Sequence, residues 1–325
     1  MKKTVTLFLF LAICLFTLPG HGMPLQYRAT TTTDFQLRGS PQEDGKRMLL
    51  VNKRREVNVV EHGDEWSKII VNSKTGYAKS KWLSKYISLD PIAYQIPGYP
   101  KQIGIAKIAA PVSLSVPGYS GNTLSTGDLI AIRSLSPEQA CVNMMRDVAQ
   151  LPANALSFTA FVPWEAALPG DIISGFTTFF NEKTGGKKLA ANRAYNIGLA
   201  SERLQAVIIG AQESFSYNSL CAPYKKSNGY LMAPNISRDG EGYGGGVCQL
   251  TTTLYNAALG LPLRIDEWEV HRERGVAYIP QYFDAAVGSY SDLVFTNLLP
   301  YAISLEVLTQ NGALTVSIHR ASELN

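Results

Sequence analysis

Histidine and cysteine are scarce in this chain. Four of each occur in 325 residues, and none forms the C-x-x-C or H-x-x-x-H spacing from which zinc sites are built. No metal and no cofactor are therefore expected. Past the N-terminus only His62, His271 and His319 remain, which narrows any search for a general base. No repeat runs at a solenoid period and no tract is of low complexity. The formal net charge is +4, and Lys2 and Lys3 supply two of those charges. So balanced a chain gives no push toward nucleic acid. The apolar run TVTLFLFLAICLFTL (4–18) is shorter than the roughly 20 residues a spanning helix needs.

That run is present for another reason. MKK is a basic start, and PGHG (19–22) is a helix-breaking end with small residues, so residues 1–22 read as an export signal cut near Gly22. The membrane would be met only through this transient segment. Ile13 fits poorly before a lipidated cysteine, which disfavours Cys14 as an anchor. Export leaves Cys141, Cys221 and Cys248, an odd number, so at least one thiol is unpaired or bridged to another chain.

Residues 27–88 read as a small all-β unit, with MLLV (48–51), EVNVV (56–60) and SKIIV (67–71) separated by turn-rich or charged stretches. DPIAYQIPGYP (90–100) is Pro-rich and sets a linker at 89–100. Region 101–171 reads as α+β. DLIAIRSL (128–135) and LSFTAFV (156–162) are strands, and SPEQACVNMMRDVAQL (136–151) between them is a helix. Its grammar is Ser136 as N-cap, Pro137 in the first turn and Gln139 closing a capping box. A second helix is expected in 189–209, with Ile197, Ala200 and Leu204 on one apolar face. The segments 301–309 and 313–319 flank QNG and predict a hairpin, because Asn-Gly supplies the positive backbone angles of a tight turn.

The most informative stretch is GYGGGVCQLTTTLYNAALGLP (242–262). Val247, Leu250, Leu254, Ala258 and Leu261 step by three or four, so an amphipathic helix starts beside Cys248 and stops at Gly260 and Pro262. A cysteine there meets the positive end of the helix dipole and free backbone N–H groups, which favour thiolate. The same amides, with the bare glycines beside them, suit the charge of a tetrahedral intermediate. The alternative is a small buried cysteine with glycines needed only for the turn. GEGYGG (240–245) matches G-x-G-x-x-G, with Asp266 downstream, but no buried strand precedes it. No Lys-Ser/Thr pair follows, which excludes a P-loop. His271 is the histidine near this region in sequence, and Glu267, Glu269 and Asp284 are candidate partners for its ring.

These motifs resemble known families. GDEWSKIIVNSKTGYAKSKWLSKY (63–86) is similar to the second half of a bacterial SH3-type domain. GGGVCQLTTTLYNAAL (244–259), EVHRERGVAYIPQYFDAAV (269–287), DLVFTNLLPYAISLEV (292–307) and the upstream Asn-Arg-bearing helix closely resemble the VanW domain, over roughly 172–321. The resemblances imply an α+β chain: a small N-terminal SH3-like β-barrel, then a mixed α/β VanW-type domain with a Gly-rich loop opening a helix at Cys248. The implied activity is that of an exported, cysteine-dependent acyl transferase of the L,D-transpeptidase type, with peptidoglycan stem peptides or glycan as partners. A non-catalytic wall-binding protein and a wall-peptide cysteine peptidase are the alternatives. Cys248 and His271 are the implied catalytic residues. Gly244, Gly245, Gly246 and Gln249 form the implied oxyanion or substrate loop. Arg193, Asn196, Tyr278 and Asp284 are matched positions for substrate binding. VHRERG keeps a single histidine where the family more often has two and a serine.

Overall fold

The computed structural model describes residues 27–61, 63–72, 74–88, 100–180, 187–235, 240–271, 275–280 and 283–322. The export signal (1–22), almost all of the linker (89–100) and His62 lie outside the described residues. The chain is α+β, rich in strands and poor in helix. Among the described residues no helix is long and apolar enough to cross a membrane.

The N-terminal strands pair in one antiparallel order: Arg47–Val51, Phe35–Arg38, Lys74–Lys79, Trp66–Val71, Glu56–Glu61, Tyr27–Thr31, Leu83–Ser88. Alternate residues such as Leu37, Val57, Val59, Ile69 and Ala78 bury one face. Register shifts at Arg28/Thr30, Leu37/Arg38 and Val59/Glu61 bend the sheet. The closed barrel expected here is not what the pairing gives. The two end strands, Arg47–Val51 and Leu83–Ser88, share no ladder, so the sheet stays open.

The region from 101 to 171 holds no α-helix, and the helix expected over 136–151 is a β-hairpin. Gln139–Met144 pairs with Asp147–Pro152 across a tight turn in which Met145 takes φ 58°. Ala140, Val142 and Met144 alternate on one side, and Ala149 and Leu151 face them, all buried. A period of two therefore prevails over the helical spacing. The capping grammar is physically present but used differently: the Gln139 amide donates to Ser136 Oγ at 3.0 Å, and the Ser136 amide to the Gln139 carbonyl at 2.8 Å. The pair closes a turn between strands instead of starting a helix.

The C-terminal region centres on a sheet ordered Ile172–Phe179, Ala313–Arg320, Ile303–Gln310, Ile208–Ile209. Its central hairpin turns at Asn311 and Gly312, with φ 49° and 75°, the geometry Asn-Gly favours. Helix α1 (Lys187–Leu204), the short α2 (Tyr217–Cys221) and α3 (Val247–Ala258) complete the core with the sheet Ser214–Ser216, Val294–Asn297, Leu263–Glu267. The central strands are stitched to this sheet. The Ala131 amide donates to Thr177 Oγ1 at 2.7 Å, and Thr315 Oγ1 to the Leu129 carbonyl at 2.8 Å.

Helix α3 departs from expectation in one respect. It is not amphipathic: every residue in it except Cys248 is buried. Polar side chains in it bond within the fold, as when Gln249 Nε2 donates to Thr178 Oγ1 and the Phe179 carbonyl, both at 3.0 Å. The helix is a buried axle whose single half-exposed side chain is the cysteine.

Candidate active site

The glycines ahead of α3 are dictated by space. Gly244 and Gly246 have φ of 76° and 110°, values L side chains rarely adopt. A Cβ on Gly245 would lie 2.5 Å from the Pro234 carbonyl oxygen and 2.6 Å from that of Ala233. The loop is clamped from α1 by Asn196, which is fully buried. Its Nδ2 donates to the carbonyls of Leu231 at 2.9 Å and Gly245 at 3.1 Å, and its Oδ1 accepts the Leu231 amide at 2.8 Å. Asn196 thus has no face left for a substrate, and its expected binding role becomes one of positioning.

Three of the four expected loop amides, those of Gly244, Gly245 and Gln249, are already engaged. Gly244, Gly245, Val247 and Gln249 spend theirs on the carbonyls of Leu231, Gly242, Gly244 and Gly246. Among the described residues, the amides of Gly246 and of Cys248 in the first turn of α3 have no protein acceptor, so the third loop glycine and the nucleophile's own N–H are the donors the fold leaves available. Gln249 is likewise buried, at 1% exposure, and touches no open space.

One face of α3 explains how Cys248 meets its partners. Residues at i, i+4 and i+8 lie in line on a helix; here they are Cys248, Thr252 and Asn256. Each grips one alternate residue of the extended segment 283–287. Asn256 Nδ2 donates to the Phe283 carbonyl at 2.7 Å. Thr252 Oγ1 accepts the Ala285 amide at 2.9 Å. Cys248 Sγ lies 3.5 Å from both the amide nitrogen and the carbonyl oxygen of Val287. Trp268 Nε1 donates to the Asp284 carbonyl at 2.9 Å, fixing the same segment from the other side.

This strap delivers Asp284 to His271. Asp284 Oδ2 accepts the His271 ring Nδ1–H at 2.8 Å and the backbone N–H at 2.7 Å, and the His271 and Asp284 side chains are 11% and 1% exposed. With Nδ1 committed, Nε2 is the nitrogen that pairs with the Cys248 thiol, to which His271 is hydrogen-bonded. Of the three carboxylates offered as orienters, only Asp284 is used for the ring. Glu267 accepts the Asp292 amide at 2.8 Å, and Glu269 pairs with Arg55 at 2.7 Å.

The electrostatics follow the geometry. Burial alone would raise the Cys248 thiol, but the His271 hydrogen bond and charge, with the Val287 amide, outweigh it and hold the thiol below its ordinary value. Burial works against a charged His271, yet the hydrogen bonds to Asp284 and Cys248 prevail and push the imidazole up to about 10. A thiolate–imidazolium pair is the state this arrangement favours. Burial and the charge of Cys248 raise the half-buried Tyr278, which is hydrogen-bonded to Thr252.

The remaining thiols and histidine stand apart. Cys141, Cys221 and Cys248 are all free. Cys221 is wholly buried, and its burial pushes the thiol up to about 11, an inert setting. His319 sits at a strand end beside Ser317 and the Gly170 carbonyl. No group of three or more metal-ligating side chains occurs among the described residues. The sequence signalled neither the Val287 backbone nor the linking roles of Thr252 and Asn256, although polar residues at i+4 spacing on an otherwise buried helix were a usable sign.

Comparison with known proteins places this site. Residues 192–319 match the family described as VanW like protein. The uncharacterized protein YoaR of Bacillus subtilis (strain 168) is 28% identical over 153 residues, 46% of this chain and 48% of YoaR. The chain thus spans about half the length of that relative. Among solved structures, NlpC2 from Trichomonas vaginalis aligns over 92% of this chain and 98% of its own at 9% identity, with a TM-score of 0.19. An NlpC/P60 family protein from Bacillus cereus ATCC 10987 aligns over 90% and 99% at 10% identity, with a TM-score of 0.17. Likeness at that level transfers neither fold nor activity. The glycine loop, α3 and the Cys248–His271–Asp284 line all fall within residues 192–319, the span that is similar to the VanW like proteins.

Proposed function

We propose that the chain is an exported, cysteine-dependent acyl transferase of peptidoglycan stem peptides, resembling the L,D-transpeptidases. The observation that carries the chemistry is the Cys248–His271–Asp284 line, with Cys248 the one accessible residue of a buried helix. The cell-wall substrate rests on the VanW resemblance and on the reading of 1–22 as an export signal.

The Cys248 thiolate attacks the carbonyl carbon of a donor peptide bond, forming a C–S bond and an oxyanion, which the Cys248 amide N–H receives. The imidazolium of His271 gives its Nε2 proton to the departing amine as the C–N bond breaks, leaving a thioester and a neutral ring. An acceptor amine then attacks the thioester, and His271 takes back a proton. The C–S bond breaks to release the new amide and regenerate the thiolate. Asp284 holds the ring in the Nδ1–H tautomer and stabilises its charge. If water is the acceptor, the same enzyme is a peptidase.

The test incubates the reduced protein and its Cys248→Ala variant with tetrapeptide-bearing muropeptides, followed by mass spectrometry. Cross-linked dimers that vanish in the variant are expected. Loss of terminal residues without dimers assigns hydrolysis. No product at all, together with a Cys248 that resists alkylation in the folded protein, overturns the reading.

A further inference from the structure

Arg193 carries a charge that no carboxylate on the described chain neutralises. Its Nη2 donates to Gln249 Oε1 at 2.6 Å, and its guanidinium lies over the Phe180 ring, 5.7 Å from the centroid. Its stem runs against the loop: a Cβ on Gly246 would lie 3.1 Å from Arg193 Cγ. Gln249 is the residue after the nucleophile, and Gly246 the cap of its helix, so Arg193 stands beside the helix start that carries Cys248. Among the described residues no carboxylate pairs with it. The side chain is half-buried, and loss of hydration disfavours its charge.

An arginine held by a neutral amide is oriented without being neutralised. Gln249 takes one of the five guanidinium N–H donors, and the others keep the planar fork that matches a carboxylate. Gln249 is itself locked, because its Nε2 is spent on Thr178 and Phe179. Such a group, desolvated but unpaired, gains most from an incoming anion. Tyr278, Cys248 and Tyr119 feel the same guanidinium, and Tyr119 comes from the strand Tyr119–Leu124 of the central region. The central strands thereby reach the site, with Asn122 of the same strand donating to the Asn311 carbonyl at 2.9 Å.

We propose that Arg193, oriented by Gln249 and backed by Phe180, is the carboxylate-binding group of the Cys248 site, which selects acyl donors bearing a free carboxylate close to the bond attacked. The proposal rests on the nucleophile reading of Cys248 and deepens it. It makes the enzyme one that removes or replaces a C-terminal residue, as opposed to cutting within a chain.

Alkylation tests this without any wall substrate. Iodoacetate and iodoacetamide modify a thiolate alike and differ in charge. At Cys248 the rate ratio of iodoacetate to iodoacetamide is expected to fall about tenfold in Arg193→Gln, the worth of one charge-assisted contact, and to be largely kept in Arg193→Lys. The ratio is read at a pH above the iodoacetamide labelling midpoints of all three proteins, where each thiolate is fully formed, which separates anion binding from the support Arg193 gives the thiolate. An unchanged ratio with normal iodoacetamide labelling overturns the proposal and leaves the nucleophile intact. Failure of iodoacetamide to label the wild type removes both. In the wild type, millimolar N-acetyl-D-alanine is expected to protect Cys248 from iodoacetamide, and N-acetyl-D-alaninamide is not. Equal protection by the two, or by neither, overturns the proposal even if the variants do not fold.

Discussion

His271 gives both its backbone N–H and its ring Nδ1–H to one oxygen, Asp284 Oδ2, at 2.7 and 2.8 Å. The backbone bond fixes where the histidine sits, and the ring bond fixes which way it faces. The other oxygen, Oδ1, is buried with no hydrogen-bond partner among the described residues, so the full carboxylate charge is directed at the imidazole.

Asp284→Asn tests that pairing. The amide oxygen would take the Oδ2 place, because the His271 backbone N–H and ring Nδ1–H both meet that atom, so the tautomer is kept and the charge that stabilises the imidazolium is lost. Turnover on a stem-peptide donor is expected to fall by roughly 10²–10⁴ with little change in KM. Steady-state kinetics check it, and unchanged turnover would remove Asp284 from the mechanism.

The thiolate–imidazolium pair predicts a pH profile for reactivity and another for stability. Iodoacetamide labelling of Cys248 is expected to titrate below the ordinary thiol value of 9.0. In His271→Ala, burial is the largest remaining influence, opposed by the Val287 amide, and the midpoint should move up. For stability, the folded pair holds one proton, on His271. Between about 6.5 and 9.0, the ordinary values of the two groups, the unfolded chain also holds one, on the cysteine. The pair's contribution is therefore flat in that window. Below it the unfolded histidine takes up a second proton, and stability falls as pH drops. Above it the unfolded thiol loses its proton while His271 keeps its own up to about 10, and stability falls as pH rises. Urea denaturation of wild type and His271→Ala across pH 5–10 checks this. A difference curve with no plateau would contradict the ion pair.

Gly245→Ala probes the loop. Its new Cβ meets two backbone carbonyl oxygens, which no rotamer change can relieve, and the shift would break the Asn196 clamp on the Gly245 carbonyl. A loss of about 1–3 kcal/mol is expected, read as a lower urea midpoint. Cys248 labelling should slow even where the protein is fully folded, because the start of α3 moves with the loop.

What could be read from the sequence was what neighbours along the chain decide. The Asn311-Gly312 turn and the start of α3 at the glycines are local, and both are as expected. Residues 136–151 show the limit. Ala140, Val142 and Met144 satisfy a strand, Val142, Met145 and Val148 a helix, and the Ser136–Gln139 hydrogen bond serves either. Only the central sheet, assembled from distant strands, decides. The choice of Asp284 over Glu267 and Glu269 was equally out of reach, since it depends on three residues of α3 drawing 283–287 into line. Gln249 and Asn196 were found by their motif, but their burial turns them from substrate contacts into supports. Val287 acts through its backbone and so leaves no mark in residue type.

Glu269 leads to the last prediction. It lies two residues before His271, and its carbonyl accepts the Ala286 amide at 2.7 Å, next to the Val287 that touches Cys248 Sγ. Its carboxylate is held by the N-terminal sheet: Arg55 Nη2 reaches both oxygens, at 2.7 and 2.8 Å, and the Asn72 amide donates at 3.3 Å. The N-terminal unit is thus tied to the segment that positions the base. Arg55→Ala leaves a carboxylate that is only 16% exposed without its cation, a loss of roughly 1–3 kcal/mol. Deuterium exchange should rise in 268–271 and 284–287, and the pH midpoint of Cys248 labelling should move up toward that of His271→Ala. Glu269→Gln, which keeps the shape but drops the charge, should give the smaller effect of the same sign. If Arg55→Ala loosens only the N-terminal strands and leaves the labelling profile unchanged, the two units are joined without being coupled.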